Sequence, residues 1–159
     1  MPVLYTMATN PAAPRSPNRR QSAICLLAAL GSIDALYLTL IKVTGAEAVC
    51  AGVGDCEAVN ASIYSEIAGV PVAALGLATY TLIGILTWLE AHRPAVTEIL
   101  QLAVFGLALG GMIFSIWLTY VEIEILQAIC VYCVISAIVI SAIFALSVIG
   151  LARVSPPSN

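Results

Sequence analysis

Cys130-Val131-Tyr132-Cys133 and the more widely spaced Cys50 and Cys56 are the residues best suited to do chemistry in this chain. Cysteines three apart share one face of a helix. At a helix N-terminus, free backbone N–H groups and the positive end of the helix dipole favour a thiolate, and the thiolate is the nucleophile of disulfide exchange. A disulfide across so short a loop stabilises a fold only weakly, so this pair reads as redox-active. Cys50 and Cys56 enclose a turn marked by Gly52, Gly54 and Asp55. Two uses of that pair stay open: an exposed disulfide that exchanges with a soluble partner, or a staple within a loop. A zinc site asks for two short Cys-x-x-Cys pairs or cysteines with histidine. The sole histidine, His92, falls elsewhere in the chain, so no metal is expected. A c-type haem needs histidine after the second cysteine, where Val134 stands.

The elements that must position these cysteines are membrane spans. Of 159 residues, 61% are hydrophobic and 9% charged, with a mean hydropathy of +1.03. A soluble domain carries about 25% charged residues, so the solvent of this chain is lipid. A net charge of −3 with six Lys and Arg excludes a nucleic-acid groove. Four apolar runs, Ser22–Val43, Val70–Leu89, Ile99–Tyr120 and Ile129–Ala152, each approach the roughly 20 residues of a spanning helix. Backbone groups in lipid must pair within the segment, which selects helices. The first run is too long for the apolar core of a cleaved signal peptide.

Basic residues set the orientation. Arg15, Arg19 and Arg20 precede the first run, His92 and Arg93 sit between the second and third, and Arg153 follows the fourth. With four spans all lie on one side, expected to be cytoplasmic together with both termini. Lys42 is the exception, placed to snorkel at the far end of the first span. Glu47, Asp55, Glu57, Glu66, Glu122 and Glu124 fall on the outer side, and so do Cys50, Cys56, Cys130 and Cys133, where disulfides persist.

The fold class is therefore an all-α membrane protein: a four-transmembrane-helix bundle with a short amphipathic surface helix in the outer loop between helices 1 and 2. Val59, Ile63 and Ile67 recur at helical spacing and place that helix over Glu57–Ala68. Gly69 and Pro71 then stop it. The proline-rich residues 1–18 read as a disordered cytoplasmic tail, residues 19–153 as the membrane domain and 154–159 as a linker. Gly106-x-x-x-Gly110 supplies a small face for packing within the bundle. Asp34 within the first span is a functional candidate because an ionisable group in lipid must be paired or hydrated. Tyr132 is placed either to line a ring-binding pocket or to anchor at the interface.

Together these residues resemble the vitamin K epoxide reductase family, in its bacterial branch. The likeness runs from about Gly31 to Ala152. Its carriers are Gly31-x-x-Asp34-x-x-Tyr37-Leu38-Thr39, Cys50 with Cys56, Ser62-x-Tyr64, Gly69-Val70-Pro71 with Gly76 and Tyr80, and Cys130-Val131-Tyr132-Cys133. The resemblance implies four helices around a quinone of the ubiquinone, menaquinone, phylloquinone or plastoquinone type. It implies that Cys133 sits against the quinone ring and that Cys130 is its exchange partner. Cys56 would relay electrons to Cys130, and Cys50 would receive them from outside. Ser62 matches a recurring hydroxyl, and Asp34 and Tyr132 are further candidates to border the ring.

The implied activity is a membrane thiol:quinone oxidoreductase supporting disulfide formation. The implied electron donor is a thioredoxin-like protein, or a domain fused beyond Asn159. The implied location is a bacterial inner membrane or an internal photosynthetic one. The rivals are a vitamin K epoxide reductase proper and a non-enzymatic membrane protein with two structural disulfides.

Overall fold

The computed structural model of the chain describes residues 18–46, 48–50 and 54–154. The expected tail over 1–17, Arg15, Glu47, the turn residue Gly52 and the linker residues 155–159 lie outside the described residues. Four helices are long and apolar enough to cross a membrane: Arg19–Thr44, Val72–His92, Thr97–Leu126 and Val131–Ala152. These are the four spans expected, and the chain is a multi-pass membrane protein.

Helix α1, Arg19–Thr44, begins at a capping box in which the Asn18 side chain accepts from the Gln21 backbone while Gln21 returns the bond. Two of the N–H groups that an α-helix leaves free at its start are satisfied in this way. It ends at Gly45, whose left-handed φ of 68° sends its N–H back to the Ile41 carbonyl. Helix α3, Val72–His92, starts directly after Pro71; a proline there terminates what precedes it and needs no N–H partner. Helix α4, Thr97–Tyr120, runs into a π-helical turn over Val121–Leu126. The last span is α5, Val131–Val154.

The four long helices form a closed ring, with α1 on α3, α3 on α4, α4 on α5 and α5 back on α1. Ile24, Ala28, Ile83, Val104, Ala108 and Ile143 fill its centre toward the end where α1 begins. Leu26, Leu30 and Ile33 on α1 and Ile138 on α5 point outward and are exposed, the surface that a lipid solvent favours. Small residues allow close approach at two crossings, Gly76 against Ala35 and Gly84 against Ala28. Gly106 and Gly110 do not pack as expected. A Cβ on either would meet nothing within 4 Å, whereas one on Gly111 would stand 3.0 Å from Ile140.

The surface helix is shorter than its apolar spacing suggests. Helix α2 covers Cys56–Ala61, capped by the Asp55 side chain on the Ala58 N–H at 3.0 Å. A 3-10 turn follows over Ile63–Ser65, then a two-residue hairpin in which β1, Glu66–Ile67, pairs antiparallel with β2, Val70–Pro71. Ala68 and Gly69 both have positive φ, 52° and 78°, as a tight two-residue hairpin turn requires. Lys42 reaches the same segment from the end of α1. Its Nζ donates to the Asn60 carbonyl at 2.6 Å and to Ser65 Oγ at 2.8 Å, and pairs with Glu66 at 3.3 Å. It ties the surface segment to α1.

Candidate active site

Both cysteine pairs sit at the end of the ring opposite the packed core. The N-terminus of α1 and the α3–α4 connection lie at the other end. Cys50 and Cys56 are joined as a disulfide, and Cys130 and Cys133 are thiols. Cys130 stands just before the first residue of α5, and its carbonyl accepts the Val134 N–H at 3.1 Å. It therefore occupies the helix N-cap, with Cys133 one turn on.

The loop carrying the disulfide is docked on both flanks of Cys130. On one side the Asp55 N–H donates to the Ile129 carbonyl at 3.0 Å. Gly54 makes this approach possible: a Cβ there would collide with that same carbonyl, and its φ of 83° favours glycine. On the other side the Tyr132 hydroxyl donates to the Val49 carbonyl at 2.9 Å. Tyr37 on α1 accepts the Val49 N–H at 3.3 Å, and its ring lies 4.9 Å from that of Tyr132. The residue before Cys50 is thus held by two tyrosines, and the residue before Cys56 by the residue before Cys130.

Glu122, one of the acidic residues at the cysteine end, is turned into the bundle by the π-helical turn and is 5% exposed, while Glu124 stays exposed. Its Oε2 accepts the Cys130 N–H at 3.1 Å, and its backbone carbonyl accepts the Gln127 and Ala128 N–H groups. One residue fixes the whole turn leading into Cys130. π-helical segments are frequent at functional sites, but a run of alternating acidic and apolar residues carries no signal that one carboxylate turns inward.

Cys130 is held below the ordinary thiol range. The main cause is the hydrogen bond from the Cys133 thiol; burial opposes it, the Cys133 and Tyr132 N–H groups reinforce it, and the Glu122 charge opposes it. The arrangement favours a thiolate on Cys130 with a proton on its neighbour.

Cys130 and Cys133 line a cavity of about 330 Å³ inside the ring. Leu38, Leu75, Phe114 and Leu118 make most of its wall apolar, and Asp34, Tyr80, Glu122 and Ser136 supply polar points. That volume and mixture suit a small ring. Of the expected ring-contacting residues, Cys133, Asp34 and Ser62 line this cavity. The Ser62 hydroxyl already donates to the Val59 carbonyl at 2.7 Å and closes α2. Tyr132 is not among the lining residues; its hydroxyl is committed to the loop. Among the described residues, Asp34 Oδ2 is buried without a hydrogen-bond partner.

A dithiol bordering an apolar cavity among four membrane-crossing helices, with a disulfide docked beside it, defines a class: multi-pass membrane thiol oxidoreductases. Comparison with known proteins narrows it. The model of the vitamin K epoxide reductase family matches residues 22–148, and the chain belongs to that family. A curated relative is the thiol-disulfide oxidoreductase LTO1 of Arabidopsis thaliana, 31% identical over 125 residues. That match covers 73% of this chain and 32% of the relative, so the chain spans under half the length of the protein it resembles. The relative is a plant protein, where the sequence pattern pointed to the bacterial branch.

Proposed function

We propose that the chain is a membrane thiol:quinone oxidoreductase that takes electrons from a thioredoxin-like dithiol and supports disulfide formation. One observation carries this reading. The Cys50–Cys56 loop is docked on either side of Cys130, and Cys130 and Cys133 border an apolar cavity sized for a ring.

In this reading a partner thiolate attacks the Cys50–Cys56 disulfide. Cys50 is the half-buried member and Cys56 is 1% exposed, which supports entry at Cys50 and release of Cys56 toward the dithiol. The Cys56 thiolate attacks the Cys130–Cys133 disulfide. The partner's second thiol displaces Cys50 from their mixed disulfide, and the freed Cys50 thiolate attacks Cys56, which re-forms Cys50–Cys56 and leaves Cys130 and Cys133 as thiols. The partner is oxidised and the membrane pair reduced by two electrons, and a quinone in the cavity accepts them. Cys133 and the apolar wall would bind the ring, Glu122 holds the turn that presents Cys130, and the quinone supplies the two-electron acceptance. The charge distribution supports an outward-facing cysteine end and cytoplasmic termini, in a bacterial inner or internal photosynthetic membrane. The partner is either a separate protein or a fused domain.

The test is thiol-dependent quinone reduction by purified protein with each of the four cysteines replaced by alanine in turn. Loss of turnover with Cys130→Ala and Cys133→Ala supports the reading. Loss of partner-driven turnover alone, with Cys50→Ala or Cys56→Ala, supports the relay. Turnover of a vitamin K epoxide with none of a quinone would replace the acceptor. No turnover of either by the unaltered protein would leave two structural cysteine pairs.

A further inference from the structure

One carboxylate oxygen on the cavity wall is left without a hydrogen-bond partner among the described residues. Asp34 Oδ2 is buried and unpartnered, and its side chain borders the same space as Cys130 and Cys133. A lone carboxylate in an apolar site is costly unless it gains a partner or loses its charge. The surroundings are built rather than accidental. One turn before Asp34, Gly31 makes room for the Tyr80 ring; a Cβ there would stand 2.6 Å from it. The Tyr80 hydroxyl lies 2.9 Å from both the carbonyl and the Oγ of Ser136. Ser136 is in turn one position past a helical turn's reach from Val131 and three residues beyond Cys133 on α5. Asp34, Tyr80 and Ser136 therefore make a polar patch from three helices, deeper than the dithiol. Tyr80 is already committed to Ser136, and Asp34 keeps a free oxygen.

The proton count of the proposed reaction calls for such a group. Reduction of a quinone to a quinol takes two electrons and two protons. Forming the Cys130–Cys133 bond releases both electrons. When Cys130 reacts as the thiolate that the Cys133 hydrogen bond favours, the pair brings one proton, on Cys133. The two oxygens of a quinone lie on opposite edges of its ring, so a single proton donor beside the dithiol would not serve both.

We infer that Asp34 donates the second proton, to the quinone oxygen remote from the dithiol. This rests on the quinone reading above. Cys130 thiolate, Cys133 thiol, the Asp34 carboxylic acid and quinone yield the Cys130–Cys133 disulfide, the Asp34 carboxylate and quinol. Both sides carry one negative charge, and Asp34 regains its proton from water as the product leaves. The titratable groups around Asp34 are Tyr80 from α3, Tyr37 on its own helix, Glu122 at the end of α4, and Cys130, Tyr132 and Cys133 at the start of α5. None of these is a cation that would hold Asp34 as a carboxylate.

The experiment uses the full chain in lipid nanodiscs, pre-reduced and mixed with a short-chain benzoquinone in a stopped-flow instrument. Asp34→Asn is expected to slow this single turnover about a hundredfold, the usual weight of a positioned proton donor, and Asp34→Glu to restore part of it. The fall of the wild-type rate at alkaline pH should flatten in Asp34→Asn. Without any quinone, the infrared spectrum of the resting protein should show a carboxylic-acid C=O band that Asp34→Asn removes. Passage of electrons from the reduced loop pair to the oxidised membrane pair, followed by peptide mapping without quinone, should keep its rate. Equal turnover in Asp34→Asn and wild type overturns the assignment, as does an equal slowing of the quinone-free exchange, which marks a structural role. A wild-type protein that exchanges thiols yet never reduces the quinone overturns the quinone reading, and the inference with it.

Discussion

Tyr132 and Val49, 83 residues apart in sequence, are joined by one hydrogen bond, hydroxyl to carbonyl, at 2.9 Å. The bond links the residue between the two membrane thiols to the residue beside the loop disulfide. It makes the spacing of Cys130-x-x-Cys133 a docking device as well as a redox pair.

Replacing Tyr132 by phenylalanine keeps the ring against Tyr37 and removes the bond. A net hydrogen bond contributes about 0.5–1.5 kcal/mol, so the docked population of the loop should fall roughly twofold to tenfold. Exchange between the loop pair and the membrane pair, timed by quenching with an alkylating agent, should slow by that factor. An unchanged rate would assign loop docking to the Asp55–Ile129 bond alone.

The four spans were readable because lipid imposes a length and an apolarity that few other structures satisfy. The cysteines were readable because their spacing is chemical. The surface helix was legible only to Ala61. Val59, Ile63 and Ile67 do recur at helical spacing, but the last of them belongs to a hairpin strand. The turn at Ala68-Gly69 outweighs a spacing of four, and the Gly69-Val70-Pro71 run was its trace in the sequence. Glu122 was not legible at all, because its burial depends on a π-helical turn that shifts the helix face by one residue. Glu90 was missed for a similar reason: an acid at the end of an apolar run looks solvated until Arg20 and Gln101 are brought to it.

Glu122 accepts a buried N–H from Cys130. Glu122→Ala leaves that donor unpaired, which destabilises a protein by about 1–3 kcal/mol. Glu122→Gln keeps an acceptor oxygen and should lose much less. Unfolding midpoints in mixed detergent micelles should rank wild type, then Gln, then Ala. Equal midpoints for Gln and Ala would mean that the carboxylate charge, rather than the acceptor, holds the turn.

The Cys133 thiol is the chief cause of the lowered value at Cys130. A lowered value keeps the thiolate populated to lower pH, so removing the donor must move its titration upward. With Cys50 and Cys56 replaced by alanine, Cys133→Ala should shift the pH profile of Cys130 alkylation by iodoacetamide to higher pH and reduce the rate at neutral pH. Peptide mapping separates Cys130 from Cys25, a further free cysteine on α1. A profile that stays in place would make the α5 backbone N–H groups the main support of the thiolate.

At the far end of the ring a second buried polar group closes the bundle. Arg20 on α1 donates to Glu90 Oε1 on α3 at 2.5 Å, and Gln101 on α4 donates to the same oxygen at 2.6 Å. The Arg20 and Glu90 side chains are 10% and 2% exposed, so three helices meet at one carboxylate away from water. Removing one partner of a buried pair strands the other charge, at about 3–5 kcal/mol. Glu90→Leu should lose that much in the same micelle assay. The double change Arg20→Met with Glu90→Leu should recover most of it, because the stranded charge goes too. If the double variant is as unstable as the single, the loss lies in packing around Gln101 rather than in the ion pair. Thiol exchange between the two cysteine pairs should keep its wild-type rate in the double variant, since the pair sits at the opposite end of the bundle from the site.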